Sequence, residues 1–189
     1  TPPKELDELT LKFALQNHPN YPIKPKKPEV EKSEALSMKV KEGEGTIETR
    51  KVAFLIDDGA SKSSVDKMKA ALEKEGAAAV LIASHVGTLK FDDGSTTEIQ
   101  HSYLTEASVC YDAFFTPDGN HVKGLAENPD YIHFLNEGYR HCKAISFAKG
   151  AEDLAKKAFI EKDAAVIFES KDDLQKDFIS AMKKHRLWE

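Results

Sequence analysis

"RKVAFLIDDGAS", residues 50–61, decides how this chain is read. Val52 to Ile56 are apolar without a break, and the run stops at Asp57-Asp58-Gly59. A short continuous apolar run bounded by turn residues fits a strand buried on both faces, as in a parallel sheet covered by helices. In open α/β sheets the ligand crevice lies just past the carboxyl ends of such strands. Asp57 and Asp58 therefore stand where chemistry would be sought.

Working outward, the next stretch is helical. In "SSVDKMKAALEKEG" (63–76), Val65, Met68 and Leu72 share one face, Ser63 and Asp66 have capping-box spacing, and Gly76 is placed to end the helix. The alternation then repeats. Apolar runs recur at 78–82 (AAVLI), 113–115 (AFF), 144–147 (AISF) and 165–168 (AVIF). Between them, Asn128 caps a helix with Pro129 at its first position, expected to bury Ile132, Leu135 and Tyr139. A shorter helix after Gly150 carries Leu154, Ala158 and Phe159, and the last carries Leu174, Phe178, Ile179 and Met182. Such alternation predicts an α/β fold, a doubly wound and mainly parallel sheet with helices on both faces. The first strand, 51–56, is expected beside the one at 112–116. One piece breaks the pattern: "TLKFDDGSTTEIQ" (88–100) has β-like runs around Asp93-Gly94, a hairpin signal.

Ahead of Arg50 the composition changes. Six of the eight prolines fall within the first 28 residues. Residues 17–49 read as a proline-rich, charged linker arm. Residues 1–16 read as a short amphipathic segment in which Leu6, Leu9 and Phe13 form an apolar stripe. A helix that short needs a partner surface. Thr1-Pro2-Pro3 reads as the start of an excised fragment, and no internal repeat is found.

The net charge of −5 offers no electrostatic reason to expect nucleic-acid binding. No apolar stretch approaches the roughly 20 residues that span a bilayer, so no membrane partner is expected, and no secretory signal is seen. Cys110 and Cys142 form no CxxC pair, and the compartment stays open between cytoplasmic and secreted.

Taken together, "KVAFLIDDG", "AAVLIAS", "FDDGSTTEI", "YDAFFTPDG" and "ENPDYIHFLNEGYRHCKAISFAKG" resemble the ThiJ/PfpI branch of the class I glutamine amidotransferase-like superfamily, whose sheet is flavodoxin-like. A more specific likeness covers residues 30–189. "SEALSMKV…GTIETRKVAFLIDDGAS" behind a proline-rich arm, and the closing "SKDDLQKDFISAMKKHRLWE", resemble the C-terminal domain of large-subunit haem catalases. That resemblance implies a haem core ahead of this chain and neighbouring subunits as partners. It implies that haem belongs to the parent protein and no cofactor to this fragment. It also implies roles in stabilising the tetramer, shaping access to the haem core and, by analogy with heat-shock relatives, protecting unfolding client proteins. Leu6, Leu9 and Phe13 are the candidate client-binding residues.

The enzymes of the superfamily place a nucleophilic Cys after the strand matched by 144–147. Here that stretch is "KAISFAKGAEDL", with Ser146 as the nearest nucleophile and Phe147 where a His is common. A lone Ser needs a base, so Ser146 reads as structural. The acidic partner has no match in "DDGASKSS". Asp57, Asp58, Asp118 and Ser146 therefore read as a vestigial crevice, with no catalytic residue. Receiver-type magnesium chemistry would need Asp57, Asp58, Asp118 and Lys149, but Asp118 sits in Pro-Asp-Gly turn chemistry and Lys149 follows the wrong strand. Asp130, His133 and Glu137 share a helix face at metal-ligand spacing, yet a solvated face explains them, and no metal is expected. Ser61 to Ser64 read as a helix cap before a phosphate contact. Cys110 and Cys142 read as buried, inert thiols. The basic "KKHRLWE" suits the last turn of the final helix. The alternative is a residual hydrolase, glyoxalase or amidotransferase using Ser146, Cys110 or Cys142.

Overall fold

A computed structural model describes residues 45–169 and 173–187, together with Ser33 and Leu36. By its internal contacts the chain divides into two units, Thr1–Ser37 and Met38–Glu189. The segments expected at 1–16 and in most of 17–49, including Leu6, Leu9 and Phe13, lie outside the described residues.

The second unit carries the sheet. Its strands are β1 (Lys51–Leu55), β2 (Ala78–Ala83), β5 (His101–Ser102), β6 (Ala113–Thr116), β7 (Ala144–Phe147) and β8 (Val166–Phe168). They lie in the order β5-β2-β1-β6-β7-β8, and each neighbouring pair is parallel. β1 is thus central, with Phe54 opposite Leu81 on one side and Phe115 on the other. The expected neighbours, the first strand and the strand at 113–116, do pair. β3 (Gly87–Lys90) and β4 (Thr96–Ile99) form the antiparallel hairpin expected around Asp93-Gly94.

Alternation along the strands sorts the core into two layers. Val52, Phe54 and Ile56 face α1 (Lys62–Lys74) and α5 (Leu174–Lys183), meeting Val65, Met68, Leu72, Phe178 and Met182. Ala53 and Leu55 face α3 (Pro129–Arg140) and α4 (Asp153–Lys157), meeting Tyr131, Phe134, Leu135 and Leu154. A short α2 (Val122–Leu125) precedes α3. Phe54 and Phe115 meet edge to face, 5.0 Å between ring centres, where the inner strands touch.

Several local expectations are corrected. α1 is capped two residues earlier than the Ser63–Asp66 box: Ser61 is the N-cap and its hydroxyl makes no capping bond. A neighbouring loop does that work, because Asp92 Oδ1 accepts the Lys62 N–H at 3.0 Å, while Asp66 pairs with the Lys62 ammonium. Asn128 caps α3 as expected, accepting the N–H groups of Asp130 and Tyr131. α3, however, turns Tyr131, Phe134, Leu135 and Gly138 inward, leaving Ile132 and Tyr139 half-buried. The reason is contact with β6: a Cβ on Gly138 would lie 2.0 Å from the Phe114 ring. Phe159 is not core. It follows α4 in a left-handed turn (φ +55°) and is 90% exposed. α5 ends at Lys183, so His185 and Arg186 lie beyond its last turn.

Candidate functional site

The carboxyl ends of β1, β2 and β6 meet three loops. They are 57–61 after β1, 84–92 through the hairpin's first strand, and 117–121 after β6. The central position of β1, with β2 and β6 on opposite sides, creates the switch point at which open α/β sheets bind ligands. Here the loops tie themselves together across it. Ala60 and Gly119 form an antiparallel bridge. Ser61 N–H donates to Asp118 O at 2.9 Å, and Asn120 N–H to Gly59 O at 3.0 Å. On the other side Gly59 N–H donates to Lys90 O (2.8 Å) and Asp92 N–H to Ala60 O (3.0 Å). The loop after β1 is therefore laced to both neighbours by backbone bonds.

This lacing needs glycine at 119. Its φ is +135°, and a Cβ there would lie 2.5 Å from Gly59 O and 2.7 Å from Ser61 N. Only a residue without a side chain lets the two loops approach so closely.

The acids expected at the strand end divide their tasks. Asp57 is half-buried, and its Oδ1 accepts the Asp58 N–H at 3.0 Å. Asp58 is exposed, and its Oδ1 accepts the Lys90 N–H at 2.8 Å. Both carboxylates thus hold backbone. His85, two residues beyond β2, brings Nδ1 to 3.8 Å from Asp57 Oδ1. Among the described residues, Asp57, Asp58 and His85 are the one set of three donors close enough to share a cation. Asp118 is not in it, so the three acids of the receiver-type set do not converge. Asp130, His133 and Glu137 do not converge either, and Glu137 pairs instead with Arg140 at 2.7 Å.

Below the surface lies a polar layer. Tyr103 donates its phenol to Ile56 O at 2.9 Å, and Thr116 and Tyr131 hydroxyls are 3.1 Å apart. Burial holds both phenols well above the ordinary tyrosine range. His121 is 3% exposed, and neither ring nitrogen has a hydrogen-bond partner among the described residues. Burial pushes its pKa down to about 4, against the attraction of Asp57 and then Asp92. The ring is therefore neutral at pH 7. Sequence reading missed His121 and His85. Their signal was position alone, each a His just beyond the carboxyl end of a core strand.

Ser146 is inside β7 and fully buried, and its Oγ has no hydrogen-bond partner among the described residues. Alternation turns it toward the α1/α5 layer with Ala144 and Ala148, away from Tyr131 and Tyr103. Cys110 is exposed in the turn 108–110 and Cys142 is half-buried after α3, so the expectation of two buried thiols fails. Both precede strands and stand at the opposite end of the sheet from Asp57. Lys143, buried beside them, donates to Ser108 O at 2.6 Å, and burial with the nearby Arg186 lowers its pKa to about 8.

Comparisons with known proteins agree with this layout. Solved structures of similar fold include Drosophila melanogaster DJ-1beta, with a TM-score of 0.59 at 14% identity over 72% of this chain and 89% of that one. Another is a two-domain Anabaena variabilis protein with DJ-1/ThiJ/PfpI-like and ferritin-like domains, with a TM-score of 0.57 at 18% identity over 61% of this chain and 34% of that one. At these identities the likeness is one of fold. In sequence, catalase HPII of Pseudomonas aeruginosa is 32% identical over 147 residues, covering 77% of this chain and 21% of that protein. Catalase-2 of Bacillus subtilis is 31% identical, covering 76% and 21%. Catalase HPII of Mycobacterium avium is 28% identical and covers 96% and 28%, reaching into the proline-rich arm. The chain thus spans between a fifth and a third of the length of these curated relatives. Residues 48–189 match the model of the C-terminal domain found in long catalases, and the chain belongs to that family.

Proposed function

We propose that this chain is a non-catalytic accessory domain of a long catalase, packing on a haem core and stabilising the oligomer. The observation that carries this reading is the laced crevice. The Ala60–Gly119 bridge crosses the switch point, and the serine nearest the superfamily's nucleophile position is sealed in the core. A buried hydroxyl with no base beside it has no route to substrate.

Exposed apolar groups support a docking role. Phe159, Val109 and Leu104 are 90%, 79% and 74% exposed. Phe159 also holds a left-handed backbone, which disfavours a bulky residue and is not offset by any packing of its ring within the described residues. Contact with another part of the parent protein would reward both features. The same groups, or Leu6, Leu9 and Phe13, would give an isolated chain weak affinity for unfolding clients.

The test uses the purified chain. It should neither decompose peroxide nor turn over methylglyoxal. Turnover abolished by Ser146→Ala, Cys110→Ala or Cys142→Ala would overturn the non-catalytic reading. In a full-length relative, serine at the positions of Leu104, Val109 and Phe159 should loosen the oligomer, and an unchanged assembly would remove the docking claim. Protection of a heated client should fall in the Leu6/Leu9/Phe13 serine variant, and no protection by the parent chain would remove the chaperone claim.

A further inference from the structure

We propose that Asp57, Asp58 and His85 bind one divalent transition-metal ion, of the class that accepts imidazole with carboxylates. One donor atom of each residue lies within 4.8 Å of the other two, and His85 Nδ1 is 3.8 Å from Asp57 Oδ1. Donors on adjacent positions of a zinc-like ion stand about 3 Å apart, given metal–ligand bonds of about 2.0–2.2 Å. Rotation of the solvent-facing His85 side chain, which is 43% exposed, narrows that gap.

The backbone is already set for it. Asp57 and Asp58 each use Oδ1 to hold an N–H, and these bonds fix both carboxylates at the strand end. Their Oδ2 atoms have no hydrogen-bond partner among the described residues. Neither acid has a Lys or Arg within ion-pair distance there; the single charged-group neighbour of Asp57 is His85. Two adjacent carboxylates without a cation are an electrostatic cost that a bound ion removes.

A second observation comes from beneath. His121 is 3% exposed, both ring nitrogens are without hydrogen-bond partners among the described residues, and its loop is tied to the one that carries Asp57 by the 3.0 Å bond from Asn120 N–H to Gly59 O. Buried polar groups left unpaired are rare in native proteins and call for an explanation. In the ion-bound form a ring N–H of His121 would donate to the ligating Asp57 carboxylate, as outer partners of metal ligands commonly do. Three protein donors leave the remaining positions to water. The imidazole sets the preference, because Mg2+ favours oxygen ligands alone.

The test is calorimetric titration of the untagged, chelator-treated chain with Zn2+ and, separately, with Mg2+. One Zn2+ should bind per chain, with Mg2+ at least 100-fold weaker. His85→Ala and Asp57→Asn should each weaken Zn2+ at least tenfold, with circular dichroism confirming that each variant is folded. His133→Ala, on the α3 face beside Asp130 and Glu137, should leave affinity unchanged. The proposal is overturned by no Zn2+ binding, by Mg2+ binding as tightly, by affinity that survives His85→Ala, or by loss in His133→Ala.

Discussion

Gly119→Ala tests whether the crevice is sealed by backbone, and Gly87→Ala is its internal reference. Both glycines hold a left-handed φ, +135° and +106°. They differ in surroundings. A Cβ at 87 meets nothing within 4 Å, whereas at 119 it meets Gly59 O at 2.5 Å, Ser61 N at 2.7 Å and Ala60 Cα at 2.9 Å. Holding Ala at such a φ costs roughly 1–3 kcal/mol, and this applies to both variants. The loss of unfolded-chain entropy, about 0.4–1 kcal/mol in favour of Ala, is also shared and cancels in the comparison. The backbone clash is not shared, and overpacking of this kind costs about 1–3 kcal/mol more. Gly119→Ala should therefore be the less stable of the pair by about 2 kcal/mol. For a domain of this size that corresponds to a Tm difference of roughly 4–8 °C. Differential scanning calorimetry of both variants measures it. Hydrogen exchange gives the local readout, since the Ser61 and Asn120 amides, bonded to Asp118 O and Gly59 O, should lose protection in Gly119→Ala alone. Equal stability of the two variants, or unchanged protection at Ser61 and Asn120, would refute the account of the crevice as a laced backbone structure.

Two further outcomes are expected. Ser146→Ala removes a buried hydroxyl that has no partner, so the chain should be unchanged or more stable by up to about 1 kcal/mol in urea melts; a clear loss of stability would mean the hydroxyl is satisfied. His121 should make the metal-free chain acid-sensitive. Its pKa is about 4 when folded against 6.5 in its ordinary state, so between those values the unfolded chain binds the extra proton, and stability falls as pH drops from 6.5 toward 4. The full effect is about 3 kcal/mol. His121→Gln should flatten that part of the stability–pH curve, and an unaltered slope would show that the imidazole is not buried in its neutral form.

The five core strands were legible from sequence because a parallel sheet covered on both faces requires continuous apolar runs, and each run at 52–56, 78–82, 113–115, 144–147 and 165–168 met that requirement. The hairpin at Asp93-Gly94 and the Asn128-Pro129 helix start were equally local, since each depends on the conformational preferences of two adjacent residues. Family membership was legible for the same reason, carried by an ordered series of such segments. Other features required the assembled fold. β5 has two residues and no apolar run, and exists because the edge of β2 supplies its partner. The cap of α1 comes from Asp92, 30 positions from the amide it accepts, and the inward face of α3 is set by how closely Gly138 approaches Phe114. Asp57 and Asp58 could be named from sequence, but not the hold of Asp58 on the hairpin, nor the nearness of His85 to Asp57. Sequence spacing reports which residues share an element, whereas a crevice is built from loops of different strands. Which donors meet there depends on strand order, and strand order is a property of the packed sheet.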